Sequence, residues 1–254
     1  MCGRYVLRTD PATLADQLGV TEAPLLERLA EPGAGPNYNV APTDPVLAAI
    51  ERTPRGAGPD AAAERILREV RWGLVPSWAK DKSVGSRMFN ARIESVTEKP
   101  AFKRAFMKRR CILPADGYYE WYKPEAPKAT KQPFFIHDGS GSALAFAGLY
   151  ELWRDPAVED KEDPAAWLWS ATILTTASVG GLHRIHDRMP VVVPAGRYDQ
   201  WLDPDFGSRA GESDELLRLL DADRDLNLDT YPVSTAVNSV RNNGPELVAP
   251  VEAE

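Results

Sequence analysis

Apolar positions along the chain come in short runs closed off by Pro, Gly, Asn and Asp, with few stripes of helical spacing. These runs predict strands at Gly3–Leu7, Pro45–Ile50, Ile66–Trp72, Pro133–His137, Ala143–Leu149, Leu168–Thr176, Met189–Val193 and Asp229–Ser234. Helical patterns are confined to three places. Asp10 and Pro11 supply an N-cap and a first-turn proline ahead of Leu14 and Leu18 on one face. From Lys99 to Lys108, Phe102 and Phe106 stand four apart among Lys99, Lys103, Arg104 and Lys108, a basic amphipathic helix. Ser213 caps a third, Leu-rich segment reaching Leu220. Many short strands and few helices predict a β-dominated α+β fold.

No repeat or clean linker divides the sequence, so residues 2–254 are expected to form a single domain. Thr21–Pro36 and Arg154–Ala166, rich in acidic residues or proline, read as mobile insertions at 21–36 and 154–166. No run of about 18 apolar residues is available to form a membrane span, and MCGRYVLRTD lacks the apolar stretch of a secretory signal.

Charge changes the picture more than composition does. The 254 residues are 43% hydrophobic, enough for a packed core, and carry a formal net charge of −7. Arg65–Lys131 nevertheless holds 16 Lys and Arg against 7 Asp and Glu, a local +9 that leaves −16 elsewhere. Such a block is either an anion-binding face or a set of solvated surface charges. Two cysteines are too few for a disulfide framework and fit a reducing, cytoplasmic compartment. Of three histidines, His183 and His186 miss the four-residue spacing of the helical zinc motif, so no metal is expected.

Cys2 matters for its position. A small second residue leaves Met1 open to aminopeptidase removal, and the exposed cysteine is a 1,2-aminothiol. With unperturbed pKa values of roughly 7.7–8.0 for the amine and about 8.5 for the thiol, both have a nucleophilic fraction at neutral pH. Toward an aldehyde, the amine can form a Schiff base and the thiol can close a five-membered thiazolidine. Toward an amide, the same residue can act as an N-terminal nucleophile. A buried structural cysteine is the bland alternative.

Three further positions could handle protons or anions. His186, in Ile-His-Asp-Arg-Met-Pro, has Asp187 and Arg188 to set its charge. Glu120, within Asp-Gly-Tyr-Tyr-Glu-Trp-Tyr, is desolvated by its aromatic neighbours unless it faces water, and becomes a proton shuttle near neutral pH. Asn90 and Arg92 are two apart on an extended segment and would share a face, an amide for positioning and a guanidinium for phosphate, or else a solvated edge. Trp72 is assigned to the core, whereas Trp78, near Lys80, is a stacking surface for unpaired bases.

Met1-Cys2-Gly3-Arg4-Tyr5, Tyr38-Asn39-Val40-Ala41-Pro42-Thr43, Arg71 to Trp78, Asn90-Ala91-Arg92, Ala115 to Trp121, Leu174 to Ala177 and His186 to Pro190 together resemble the SOS response-associated peptidase family, with matches reaching Val237–Pro245. The resemblance implies antiparallel β-sheets curled into a barrel-like core with a few flanking helices. It implies recognition of abasic sites in single-stranded DNA and a covalent thiazolidine crosslink through the mature Cys2, shielding the lesion in the DNA damage response. Carried over by position, Cys2 is the nucleophile, Asn90 positions the terminus and sugar, Glu120 shuttles protons, and His186 assists ring opening and crosslink reversal. Arg4, Arg92 and Arg188 match phosphate-holding positions, and Asn39, Pro42, Trp78 and Thr175 match positions lining the DNA or the lesion pocket. Lyase-like Schiff-base chemistry and a peptidase activity tied to processing ahead of the cysteine come with it. A monomer in the bacterial cytoplasm, at the nucleoid when bound to DNA, with no cofactor, metal or membrane partner, is the expected context. Two other classes stay open: an N-terminal-nucleophile thiol peptidase or amidase, and a non-covalent single-strand binding module.

Overall fold

In the computed structural model, two sheets form one body; it describes residues 2–20, 35–53, 56, 61–125, 130–207, 213–221 and 226–252. Among these, twelve strands occur: β1 Tyr5–Leu7, β2 Asn37–Val40, β3 Pro45–Arg52, β4 Glu64–Trp72, β5 Asn90–Arg92, β6 Arg110–Ala115, β7 Gly117–Tyr122, β8 Gln132–Asp138, β9 Leu144–Arg154, β10 Trp167–Ala177, β11 Arg188–Pro190 and β12 Leu228–Pro232. The first sheet is antiparallel in the order β12-β8-β7-β1-β2. In the second, β10, β4, β3, β6 and β9 follow one another and β9 pairs back onto β10, which closes a five-stranded barrel. The class is α+β, with antiparallel pairing broken only where β10 runs parallel to β4 and β5.

β10 is the hub that positions the site. One edge passes from β4 at Ser170 and Ala171 to β5 at Ile173–Thr175, and the other passes from β9 to β11. Asn90–Arg92 and Arg188 therefore flank the same stretch of β10 from opposite sides.

Alternation along each strand sorts the barrel into two faces. Val46, Ala48, Ile50, Val70, Trp72, Leu113, Phe146, Ala171 and Ile173 fill the interior, and Tyr5, Tyr118 and Ile136 of the first sheet continue that core. The outward set, including Leu47, Ala49, Leu67, Ile112, Ala147 and Leu174, packs against α1 (Pro11–Gln17), α2 (Lys103–Lys108), α3 (Tyr198–Leu202) and α4 (Ser213–Asp221). A third cluster, Val6, Tyr119 and Phe135 with Val233, Val237 and Leu247, attaches the C-terminal segment to the far face of the first sheet.

Local chemistry explains the departures from the sequence expectations. The basic amphipathic segment becomes α-helical only from Lys103, because Lys99–Phe102 is a turn closed by Phe102 N–H donating to Lys99 O at 2.9 Å. The expected strand Met189–Val193 is paired as β11 only to Pro190, after which Val192 makes a single bridge to Phe146. β2, β5, β6 and β7 were not separate apolar runs: β6 is buried throughout despite starting at Arg110, and β7 interleaves Glu120 with aromatics. Residues 21–34 of one expected insertion lie outside the described residues. In the other, Asp155, Asp160 and Asp163 close successive turns onto the N–H groups of Ala157, Glu162 and Ala165.

The basic block does not form one face. Arg110 is buried, its guanidinium donating to the carbonyls of Phe106, Met107, Trp201, Asp203 and Phe206, and burial lowers its pKa to about 10. Arg65 pairs with Glu51 at 2.8 Å and Asp199 at 2.7 Å, and Arg109 pairs with Glu151. Three of the sixteen positive charges are thus consumed in holding helices and strands together. No described helix is long and apolar enough to cross a membrane.

Candidate active site

Cys2 lies ahead of β1, fully buried in the core shared by the first sheet and the barrel. Its carbonyl accepts a hydrogen bond from Asn90 Nδ2 at 2.6 Å, which ties the start of the chain to β5. The Arg4 N–H hydrogen-bonds the sulfur, but burial, followed by the nearby Glu120 charge, pushes the thiol pKa well above its ordinary value. The thiol is therefore protonated at neutral pH, which corrects the appreciable nucleophilic fraction expected from its unperturbed value.

Glu120 owes its position to the alternation of β7. Tyr119 and Trp121 face the third cluster, so Tyr118 and Glu120 turn toward the Cys2 side. Only 2% of Glu120 is exposed, and desolvation raises its pKa to about 7. A carboxyl balanced at neutrality can both donate and accept a proton.

His186 follows a short helical turn, Gly180–Arg184, and its Nε2 stands 4.0 Å from Glu120 Oε2. Its Nδ1 accepts the Arg188 N–H at 3.0 Å and lies 2.9 Å from Asp187 Oδ1. Burial lowers the imidazole pKa, so the ring is neutral at pH 7. With Nδ1 accepting from Arg188, the proton sits on Nε2, on the Glu120 side. Asp187 becomes the charge partner once the ring protonates.

Cys2, Asn90, Glu120 and His186 thus converge. Tyr5 and Tyr118, which sequence reasoning did not single out, share this core and bury hydroxyls that have no hydrogen-bond partner among the described residues. For Tyr118 the signal was present, two residues from Glu120 on one strand.

The remaining expected residues divide into free and engaged groups. Trp78 is 64% exposed, and Arg92 is exposed on β5 while Ala91 between it and Asn90 is buried. Arg4, by contrast, donates to Asn39 Oδ1 at 2.6 Å and Val237 O at 2.7 Å, with its guanidinium 5.9 Å from the centre of the Trp121 ring. Asn39 is buried and donates to Ser239 O and Asn242 O, so this pair clamps the C-terminal segment. Pro42 sits in a turn whose next residue, Thr43, has a φ of 85°, held by its N–H to Trp72 O at 2.7 Å and by Arg71 donating to its carbonyl. A non-glycine residue there stores about 1–3 kcal/mol of strain. Thr175 is buried; Arg188 donates to its carbonyl at 2.6 Å and grips Glu94 with two bonds of 2.7 and 2.9 Å. Glu94 was missed, although two-residue spacing from Asn90 and Arg92 hinted at it. Among the described residues no cluster of three or more His, Cys, Asp or Glu could hold a metal ion.

The model of the SOS response associated peptidase (SRAP) family matches residues 1–240. The chain belongs to this family. YoqW of Bacillus subtilis, named as an abasic site processing protein, is 38% identical over 253 residues, covering 98% of this chain and 99% of its own. HMCES of Xenopus tropicalis, with the same description, is 30% identical across 99% of this chain and 78% of its own. Among solved structures, a Bacteroides thetaiotaomicron protein superposes with a TM-score of 0.75 at 21% identity, covering 99% of this chain and all of that one, a likeness of fold alone. A phage-related protein of Bordetella bronchiseptica reaches 0.63 at 29% identity, covering 91% of this chain and 94% of its own.

Proposed function

We propose that the protein captures abasic sites in single-stranded DNA by forming a thiazolidine with Cys2 after Met1 is removed. The observation that carries this reading is the placement of Cys2 against Asn90 and beside a carboxyl whose pKa is about 7. That YoqW and HMCES, matched over nearly all of this chain, are named as abasic site processing proteins supports the substrate class.

The ring-closed sugar first opens to its aldehyde: the anomeric hydroxyl gives up its proton, the ring oxygen gains one, and His186 Nε2–H hydrogen-bonds that oxygen as it leaves, the imidazole itself staying neutral overall. The Cys2 amine adds to the carbonyl carbon. Asn90 Oδ1, buried with no partner among the described residues, offers an acceptor for that amine or for a sugar hydroxyl. Protonated Glu120 gives its proton to the departing hydroxyl, so one water leaves and an iminium remains. The thiol then adds to the iminium carbon, giving its proton to the Glu120 carboxylate, and the ring closes. The overall change is aldehyde plus aminothiol to thiazolidine plus water. A protonated, buried thiol suits this order, because the sulfur reacts second, in an intramolecular step with large effective molarity. A thiol peptidase needs a thiolate at the start, which burial opposes.

Incubation with single-stranded DNA carrying one abasic site, followed by a denaturing gel, tests the proposal. A heat-resistant adduct is expected for the wild type, and none for Cys2→Ala or for protein whose amino terminus is blocked. An unchanged adduct with Cys2→Ala overturns the mechanism. Multiple-turnover release from an amide substrate would favour the peptidase reading, and equal binding of intact and abasic DNA without adduct would favour a binding module.

A further inference from the structure

The interior column of the barrel continues past Cys2 to the opposite end. Ala48 and Ile50 on β3, Val70 and Trp72 on β4, Tyr150 on β9 and Ala171 on β10 all face inward. The period of two therefore sends Arg52, Arg68, Leu152 and Trp169 to the same face at the far mouth. Arg52 lies seven residues along β3 from Pro45, which adjoins the Thr43 turn, or about 23 Å at roughly 3.3 Å per residue. A cavity of about 320 Å³ opens there, lined by these four residues with Pro164 and Trp167.

Both guanidiniums converge on one indole: Arg68 Cζ is 3.9 Å and Arg52 Cζ 5.4 Å from the Trp169 ring centre. Tyr150 stacks on the same ring at 5.6 Å and 17°. Arg68 Nε is buried without a hydrogen-bond partner, and among the described residues neither arginine makes an ion pair. Glu64 stands opposite Arg52 in the ladder but forms no ion pair with it. In the acidic insertion nearby, Asp163 caps its own turn and Asp155 lies 4.0 Å from Lys82. Burial, and then the Arg52 charge, lower the Arg68 pKa. Arg65, Arg109 and Arg188 each have a carboxylate; these two instead lie over one indole and line the same cavity.

We propose that this mouth of the barrel is a second binding site, for a nucleotide phosphate whose anion lies between Arg52 and Arg68 and whose base or sugar rests against Leu152, Pro164 and Trp167. A phosphate supplies the acceptor oxygens that two guanidiniums match in planar, paired hydrogen bonds. Indole walls supply a stacking surface tolerant of any base. The phosphate can belong to a free nucleotide or to the strand that carries the lesion.

Isothermal titration tests the site on the full chain in an Arg92→Ala background, which removes the exposed cation two residues from Asn90 on the Cys2 side. The probes are inorganic phosphate, a deoxynucleoside 5′-monophosphate and an intact four-nucleotide single strand. Saturable binding of at least one nucleotide probe is expected, weakened about tenfold or more by Arg68→Gln and by a smaller factor by Arg68→Lys, which keeps the charge but loses the planar fork. Equal affinity for monophosphate and strand assigns a free nucleotide; tighter binding of the strand assigns the nucleic acid. No binding of any probe, or unchanged binding in Arg52→Gln, Arg68→Gln, overturns the proposal. Should Arg68→Gln fail to fold, Arg52→Gln alone carries the same test. Crosslinking to saturating abasic DNA in the Arg52→Gln, Arg68→Gln protein is read separately, so that failure of this site and failure of abasic capture are distinguishable.

Discussion

Glu120 Oε2 and His186 Nε2 face each other at 4.0 Å, a buried carboxyl raised to about 7 beside an imidazole whose pKa is lowered. Near pH 7 the carboxyl carries its proton about half the time while the ring is neutral, so the carboxyl can give or take a proton and the ring can take one. Converging carboxyl and imidazole pKa values are what a reaction that both removes and returns protons requires.

The raised carboxyl makes stability fall with pH. Between its ordinary value and about 7, the native state binds more protons at Glu120 than the unfolded chain does, so stability declines as pH rises through that window and then levels off. Glu120→Gln removes this cost and is expected to stabilise the protein at pH 8 by on the order of 3 kcal/mol, with little gain at pH 4.5. Thermal or urea melts of both proteins at the two pH values measure it; equal differences at both would refute the raised pKa. The same variant should slow crosslinking and remove the fall in rate above about pH 7.

Replacing Cys2 by Ser separates the two covalent steps. The serine amine can still form an iminium, but the hydroxyl is a much weaker nucleophile than a thiol. Borohydride is expected to trap an adduct with the abasic strand, and heating without borohydride to leave none. A heat-stable adduct from Cys2→Ser would show that ring closure through sulfur is not what makes the link durable.

Glu94 occupies Arg188, the side chain expected to meet a phosphate. Two hydrogen bonds of 2.7 and 2.9 Å hold the guanidinium, and Arg188 also lowers the Glu94 pKa. If Arg188 is to hold a phosphate, this grip must loosen. Glu94→Gln is expected to tighten binding of intact single strands severalfold at low salt and to steepen the dependence of log affinity on log salt by about 0.7, the share of one more neutralised phosphate on a single strand. Fluorescence anisotropy across a salt series reads both effects. Unchanged slope and affinity would leave Arg188 a structural residue that fixes Thr175.

Much of this arrangement was legible in the chain, for identifiable reasons. Strands β3, β4 and β10 emerged within two residues of their ends, and β9 five residues short at its C-terminal end, because strands buried over much of their length on both faces write near-continuous apolar runs. Glu120 was legible as a candidate because a carboxylate among aromatics is desolvated unless it faces water, a choice the fold decides by burying it. What stayed hidden depends on contacts between distant segments. Nothing local shows that Arg4 and Asn39 clamp Val237, Ser239 and Asn242, or that Arg110 is buried among carbonyls. Charge counting along the sequence cannot distinguish Arg92, open to solvent, from Arg65 and Arg109, whose partners come from other strands and helices.

The loop bearing Trp78 depends on two glycines that touch. Gly73 has a φ of 133°, and a Cβ there would lie 2.5 Å from Gly85 O; a Cβ on Gly85 would lie 2.5 Å from Gly73 O and 2.9 Å from Val75 Cγ2. Backbone against backbone leaves no side chain able to move aside, and Gly73 N–H also donates to Ala171 O at 2.7 Å, fixing the turn to β10. The contact closes the excursion from β4 to β5, so it sets both the exposed indole and the position of Asn90 against Cys2. Gly73→Ala is expected to cost about 2–4 kcal/mol of stability through left-handed strain and the clash. Crosslinking should fall by more than the loss of folded protein explains, since Asn90 is displaced. Urea denaturation together with the crosslinking rate per folded molecule checks both. A destabilised variant with an undiminished rate per folded molecule would mean that Asn90 is positioned by β10 alone.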